Sequence, residues 1–325
     1  WRGFDLSELW TGVGVILSAM ALMAIVDLPF SLYRTFGLEA RFGFNKTTPG
    51  TFIADMLKMA IVAAILGSPL VAVILWLMQS SGTLWWLYAW VVWVAFSLGI
   101  TWAYPAFIAP LFNKFSPLEN DGLKARIEAL LARCGFRSSG IFVMDGSTRS
   151  THGNAYFTGV GNNKRIVFFD TLIDSLEPLE VEAVLAHELG HFRLRHIRKR
   201  LIVAFIMGLI GLAVLGFAAQ QPWMYTALGI DTPSNHMALL LFLTVSPVFT
   251  FALTPISART SRRHEFEADE YAAGQSDAGA LIDALVKLYR DNATALSPDP
   301  LHSSFYDSHP PGPARVAHLK ALAGA

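Results

Sequence analysis

The hydrophobic pattern divides this chain before any single residue does. Five stretches, at approximately 9–32, 52–78, 84–108, 201–219 and 237–256, run almost without charge, and each is nineteen residues or longer. A helix of that length crosses the roughly 30 Å apolar core of a bilayer. Buried helices of soluble proteins seldom stay uncharged for so long. The second and third stretches hold only Asp55 and Lys58, both near one end. Trp85, Trp86, Trp102 and Trp223 gather toward the ends of the runs, as aromatic anchors at a membrane interface do. The pattern predicts three spans in 1–108 and two in 201–256, with polar regions at 109–200 and 257–325.

The connecting loops give those spans a direction. Arg34, Arg41 and Lys46 follow the first span, whereas the turn after the second, "SSGT", carries no charge. The third opens into 109–200, which ends in "RLRHIRKR"; the loop "QQPWMYTALGIDTPSNH" carries one Asp and no Lys or Arg; Arg259, Arg262 and Arg263 follow the fifth. Alternating spans put every basic loop on one side, the cytoplasmic side by the positive-inside rule. Regions 109–200 and 257–325 then meet on one face and can form one domain.

Composition agrees with a membrane protein. The chain has 325 residues, 53% hydrophobic and 15% charged, against about 25% charged in soluble proteins. A formal net charge of zero gives no reason to expect a nucleic-acid partner. The single cysteine, Cys134, excludes an internal disulfide framework and a Cys-rich zinc knuckle, and reads as an inert buried thiol. Starting at Trp1, the chain reads as a processed or incomplete piece of something longer.

The chemistry lies in two short segments. Residues 178–196, "PLEVEAVLAHELGHFRLRH", read as a helix with Pro178 in its first turn. His187 and His191 stand at i and i+4, so their imidazoles project from one face about a turn apart and can share one zinc ion. Glu188 lies beside the metal and can take a proton from water. A third ligand is needed. His196 comes five residues after His191, without the glycine that precedes the third histidine of metzincins. On a continuing helix it turns off the metal face and reads as a surface or headgroup-facing residue. The segment "SRRHEFEADEYAA" also reads as helix, with Glu265 and Asp269 at i and i+4 and Glu267 pointing elsewhere. It offers a ligand and a carboxylate to orient a ligand histidine, or else a solvated charged face. Two histidines and one glutamate would leave the fourth zinc position open, the layout of a catalytic site.

These motifs sit in an ordered set: "FGFNKTTPGTFIADMLK", "IAPLFNKFSPLENDGLKARIEAL", "VMDGSTRSTHGNAYFTGVGNNKRIVFFDTLI", "LAHELGHF", "SRRHEFEADEYA" and "HPPGPAR". From about Asp27 onward the chain resembles the type I CAAX prenyl endopeptidases, integral-membrane zinc metalloproteases of the gluzincin kind. The resemblance implies a mostly α-helical integral membrane protein, a multi-span bundle enclosing a chamber. On its cytoplasmic face it implies a zincin-like α+β metalloprotease domain with a small β-hairpin or sheet. It implies one Zn2+ per chain held by His187, His191 and Glu265, with Glu188 as general base and Asp269 behind the ligands. Asn154, Ala155 and Tyr156 match the strand that pairs with substrate backbone. By themselves those residues read as one arm of a hairpin about a Gly-Asn-Asn turn, whose edge could add a peptide strand. His309 and Arg315 match a histidine and an arginine of the active site, suited to the tetrahedral oxyanion; unaided, they read as a Pro-rich loop and a surface Arg.

The implied substrate is a membrane-associated or prenylated CAAX-type peptide, with membrane lipid as the surrounding partner. Family members usually begin with two further spans. The "ALAGA" end lacks a lysine-based retrieval signal, which favours a bacterial inner membrane over the endoplasmic reticulum. Other readings are a quality-control protease without prenyl specificity and a catalytically silent zinc-stabilised scaffold. A transporter is disfavoured because the spans lack ionisable residues away from their ends.

Overall fold

The computed structural model describes residues 1–158 and 164–324. The chain is mostly helical and separates into two compact units. The first comprises Trp1–Arg41, Thr48–Tyr104 and Arg200–Phe251; the second comprises Phe42–Thr47, Pro105–Lys199 and Ala252–Ala325.

Five helical runs are long and apolar enough to cross a membrane: Glu8–Glu39, Pro49–Ser80, Gly82–Phe112, His196–Ala218 and Asn235–Gln275. Each contains one of the apolar stretches of the sequence or most of it. Little of their apolar surface is covered by protein: Ile25, Ile65, Val91, Val203 and Val248 are all exposed. That surface is what a helix facing lipid presents. Inside the first unit the helices close on Ile16, Leu75, Ala89, Leu215 and Ala238. Small residues allow the approach. Trp93 and Trp86 lie directly over Gly208 and Gly216, where a Cβ would meet ring atoms at 2.5 and 2.6 Å. The indole of Trp90 also donates to the Phe205 carbonyl at 2.8 Å.

The second unit holds a four-stranded sheet of β1 (Phe115–Pro117), β2 (Ile141–Met144), β3 (Ala155–Thr158) and β4 (Arg165–Phe169), in the order β1-β2-β4-β3. β1 and β2 are antiparallel, β2 and β4 parallel, and β4 and β3 antiparallel. The two arms of the expected hairpin do pair, but they are half of a larger sheet. The expected turn, Gly161 to Asn163, falls outside the described residues. Ile166 and Phe168 on β4 enter a core with Ile127, Leu130, Leu172, Leu185, Leu189, Leu281 and Leu319.

The register of β3 fixes which of its groups face outward. Phe169 N–H donates to the Asn154 carbonyl at 2.9 Å, one residue outside the Ala155–Phe168 pair. That makes Ala155–Phe168 a non-hydrogen-bonded pair, and the alternation repeats at Phe157–Ile166. The N–H and C=O of Ala155 and Phe157 therefore point to the open edge, while those of Tyr156 bond β4.

Candidate active site

The helix Pro178–Arg193 carries "HELGH", and local chemistry explains its start. Pro178 occupies the first turn, where its missing N–H is not needed, and Glu177 and Glu180 form a reciprocal capping box. Side-chain ties fix the helix in the second unit. Glu182, nearly buried, accepts from Arg126 Nε at 3.0 Å and Arg133 Nη2 at 2.9 Å. Glu180 also takes Lys287 Nζ at 2.7 Å.

The helix Thr254–Gln275 crosses it at the site. The glycine of the motif makes the crossing possible, because a Cβ on Gly190 would lie 3.0 Å from Ala268 Cα and 3.1 Å from its carbonyl oxygen. Gly190→Ala is expected to push the helices apart and cost about 1–3 kcal/mol, as overpacking does. The check is the melting temperature of the purified protein, which should drop; an unchanged value would show that this approach is not tight.

His187, His191 and Glu265 converge where the helices cross. His187 Nε2 and His191 Nε2 are 3.1 Å apart, and Glu265 oxygens lie 3.5 Å from the first and 3.3 Å from the second. Ligands bound at about 2.0–2.1 Å in a tetrahedron stand about 3.3 Å apart, so the two imidazole nitrogens and the Glu265 carboxylate are spaced as a group that could hold one metal ion. The Asp269 carboxylate accepts from His187 Nδ1 at 2.8 Å, so a ring that has given up its second proton presents Nε2 as a lone pair aimed at the other ligands.

Around this centre the side chains fall into three roles. Glu188 borders a cavity of about 110 Å3, together with His187, Glu265, His309, Asn154 and Ala155. Burial pushes its carboxyl above the usual carboxylate range, against the pull of the neighbouring imidazoles. His309 Nδ1 bonds Glu265 Oε2 at 2.7 Å while most of its ring stays exposed. Arg315 lies deeper. Its Nε and Nη2 clasp Asp269 at 2.8 and 2.5 Å, and Nη1 lies 3.5 Å from Glu265 Oε2. At 5% exposure it is a buried clamp behind the ligands, not the surface Arg that the local sequence suggests. Leu281, Leu285 and Leu288 make the apolar wall of the same cavity.

Two sequence expectations change here. Tyr156 lies on β3, yet its main chain faces β4, so Phe157 takes its place at the open edge. The Ala155 N–H is met by Asn154 Oδ1 at 2.8 Å. His196 is not a surface residue and is not part of the His187–His191–Glu265 group: it is 1% exposed, with Nδ1 2.9 Å from His191 Nδ1. Only the helix break, at Arg195 with φ 60°, turns it back toward the site. No glycine, proline or asparagine marks that break in "FRLRHI", so the sequence held no signal for it.

Comparison with known proteins identifies a family. The family model described as Peptidase family M48 matches residues 117–323, and the one described as CAAX prenyl protease N-terminal, five membrane helices, matches residues 1–114. The CAAX prenyl protease 1 homolog of Arabidopsis thaliana is 39% identical over 98% of this chain and 74% of its own length. The CAAX prenyl protease 1 homolog of Homo sapiens is 32% identical over 97% of this chain and 74% of its own. The crystal structure of S. mikatae Ste24p superposes with a TM-score of 0.91 at 34% identity, over 97% of this chain and 77% of that one. This chain belongs to peptidase family M48, as an integral-membrane metalloendopeptidase.

Proposed function

We propose that this chain binds one zinc ion through His187, His191 and Glu265 and cleaves prenylated CAAX-type peptides on the cytoplasmic side of its membrane. The observation that carries the reading is the convergence of the two Nε2 atoms and the Glu265 carboxylate, at 3.1–3.5 Å, beside Glu188 and the open edge of β3. The names of the relatives support the substrate class. The basic loops support the cytoplasmic side.

A zinc ion there supplies Lewis-acid chemistry, lowering the pKa of a coordinated water toward neutrality and polarising the scissile carbonyl. The chain's own groups do the rest. A substrate strand adds to β3 through the N–H and C=O of Ala155 and Phe157, displacing the Asn154 side chain from the Ala155 N–H. Glu188 takes the proton of the attacking water and delivers it to the leaving amine. His309 gives its Nδ1 proton to Glu265, so it can meet the developing oxyanion only as a doubly protonated ring that donates from Nε2; Arg315 and Asp269 act from behind by fixing His187. The cavity wall of Leu281, Leu285 and Leu288 suits an aliphatic side chain of the substrate.

The test is a matched pair of peptides, one farnesylated at its CAAX cysteine and one bare, with products read by mass spectrometry. Faster cleavage of the lipidated peptide is expected; equal cleavage would remove the prenyl assignment and leave a protease of broader use.

Metal uptake should depend on pH. Burial works against a charge on His187, but the Asp269 and Glu265 carboxylates outweigh it and lift the imidazole to about 9 when no metal is bound. The proton it carries at neutral pH must leave as metal enters. Apparent zinc affinity is therefore expected to fall about tenfold for each pH unit below that value. Chelator competition across neutral pH would show it; a flat profile would mean that His187 does not bind as described.

A further inference from the structure

His191 has a partner that its motif does not supply. We infer that His196 and Glu267 form a relay that sets the tautomer and aim of the metal ligand His191, an inference that rests on the metal site proposed above.

The chain of contacts runs in one direction. Glu267 Oε2 lies 3.0 Å from His196 Nε2, and a carboxylate can only accept, so His196 is protonated at Nε2. A singly protonated imidazole that donates at Nε2 accepts at Nδ1. His191 Nδ1, 2.9 Å away, must then be the donor. This leaves His191 Nε2 without a proton, facing His187 Nε2 at 3.1 Å and Glu265 at 3.3 Å. Metal-bound histidines depend on such outer hydrogen bonds for tautomer and orientation. His187 obtains its own from Asp269 and Arg315; His191 obtains it from His196 and Glu267.

The fold holds the relay at both ends. Arg195, in the left-handed region at φ 60°, ends the motif helix and starts the next one at His196. On an unbroken helix His196 would lie about 140° around the axis from His191, out of reach. Below it His264 stacks at 4.0 Å with the rings 10° from parallel, and Arg263 Nε holds the other oxygen of Glu267 at 2.8 Å. His196, His264 and Glu267 also bring ligand-type atoms within 4.8 Å of one another. Stacked rings keep their in-plane lone pairs in nearly parallel planes about a ring spacing apart, which do not converge on one ion. The cluster serves as an orienting relay, not as a second metal site.

The experiment uses the full chain in detergent, stripped of metal and titrated with Zn2+ against a competing chelator. Three variants are compared: His196→Phe, which keeps the ring and the stack but has no acceptor; Glu267→Leu; and Glu267→Gln, whose amide oxygen still accepts. His196→Phe and Glu267→Leu are expected to weaken zinc affinity by roughly 10–100-fold, with Glu267→Gln recovering most of the loss seen in Glu267→Leu. The melting temperature of the metal-stripped protein should stay close to that of the wild type in all three. Wild-type affinity in both His196→Phe and Glu267→Leu would overturn the relay alone. So would losses that merely follow a lowered metal-free melting temperature, or a Glu267→Gln no better than Glu267→Leu. A second zinc equivalent lost with His196→Phe would overturn it in favour of a second site. Failure of the wild type to bind zinc would remove the metal site itself.

Discussion

Glu188→Gln is expected to lower kcat/KM for peptide hydrolysis by roughly 10²–10⁴-fold, the usual worth of a positioned general base, while zinc binding persists. The amide keeps the shape of the side chain but cannot take a proton from water. Glu188 is not among the converging ligand atoms, so its loss should leave the His187–His191–Glu265 cluster in place. Its carboxyl is also the group that burial shifts toward proton uptake. Rates and bound zinc measured on the same sample decide the matter. Loss of metal together with rate would make Glu188 a structural residue, and an undiminished rate would remove it from the chemistry.

The largest effect on stability should come from Arg315→Leu. The guanidinium meets Asp269 through two nitrogens, and both partners are buried, Asp269 at 0% and Arg315 at 5% exposure. Removing one partner leaves a carboxylate buried with only His187 to satisfy it, a change that typically costs about 3–5 kcal/mol. Replacing both, as in Arg315→Leu with Asp269→Leu, should cost less than the sum of the single changes, because the uncompensated charge disappears. Thermal melting of the two single variants and the double variant measures this coupling. Additive losses would show that the pair does not act as a unit. Zinc affinity should also fall in Arg315→Leu, since Asp269 then loses the clamp that aims it at His187.

Local periodicity carried much of the site, and long-range register carried the remainder. His187, Glu188 and His191 could be placed from i, i+4 spacing because they share one helix, and Glu265 and Asp269 followed for the same reason. The five apolar runs were equally plain, since length and lack of charge are properties of a contiguous segment. β1 and β2 went unread: they are three and four residues long, β1 ends in a proline, and both depend on partners distant in the chain. Alternation along β3 was visible, but which alternate residues face outward depends on how it bonds β4; Tyr156 came from the family resemblance, and the register adds Phe157. The displacement of His196 had a similar origin. A single left-handed residue, Arg195, redirected it, and neither its type nor its neighbours announced the turn. Arg315 was legible only through family resemblance. Nothing in "HPPGPAR" shows that its guanidinium runs inward to Asp269.

The central claim, that one zinc ion in the His187–His191–Glu265 cluster drives peptide-bond cleavage, is tested most directly by titrating metal-stripped protein with Zn2+. Cleavage of a farnesylated CAAX peptide is followed at each addition. Activity is predicted to rise in proportion to bound zinc and to level off at one equivalent per chain, with Glu265→Ala restoring neither binding nor rate. Full cleavage by the stripped protein, or undiminished zinc-dependent activity in Glu265→Ala, would contradict it.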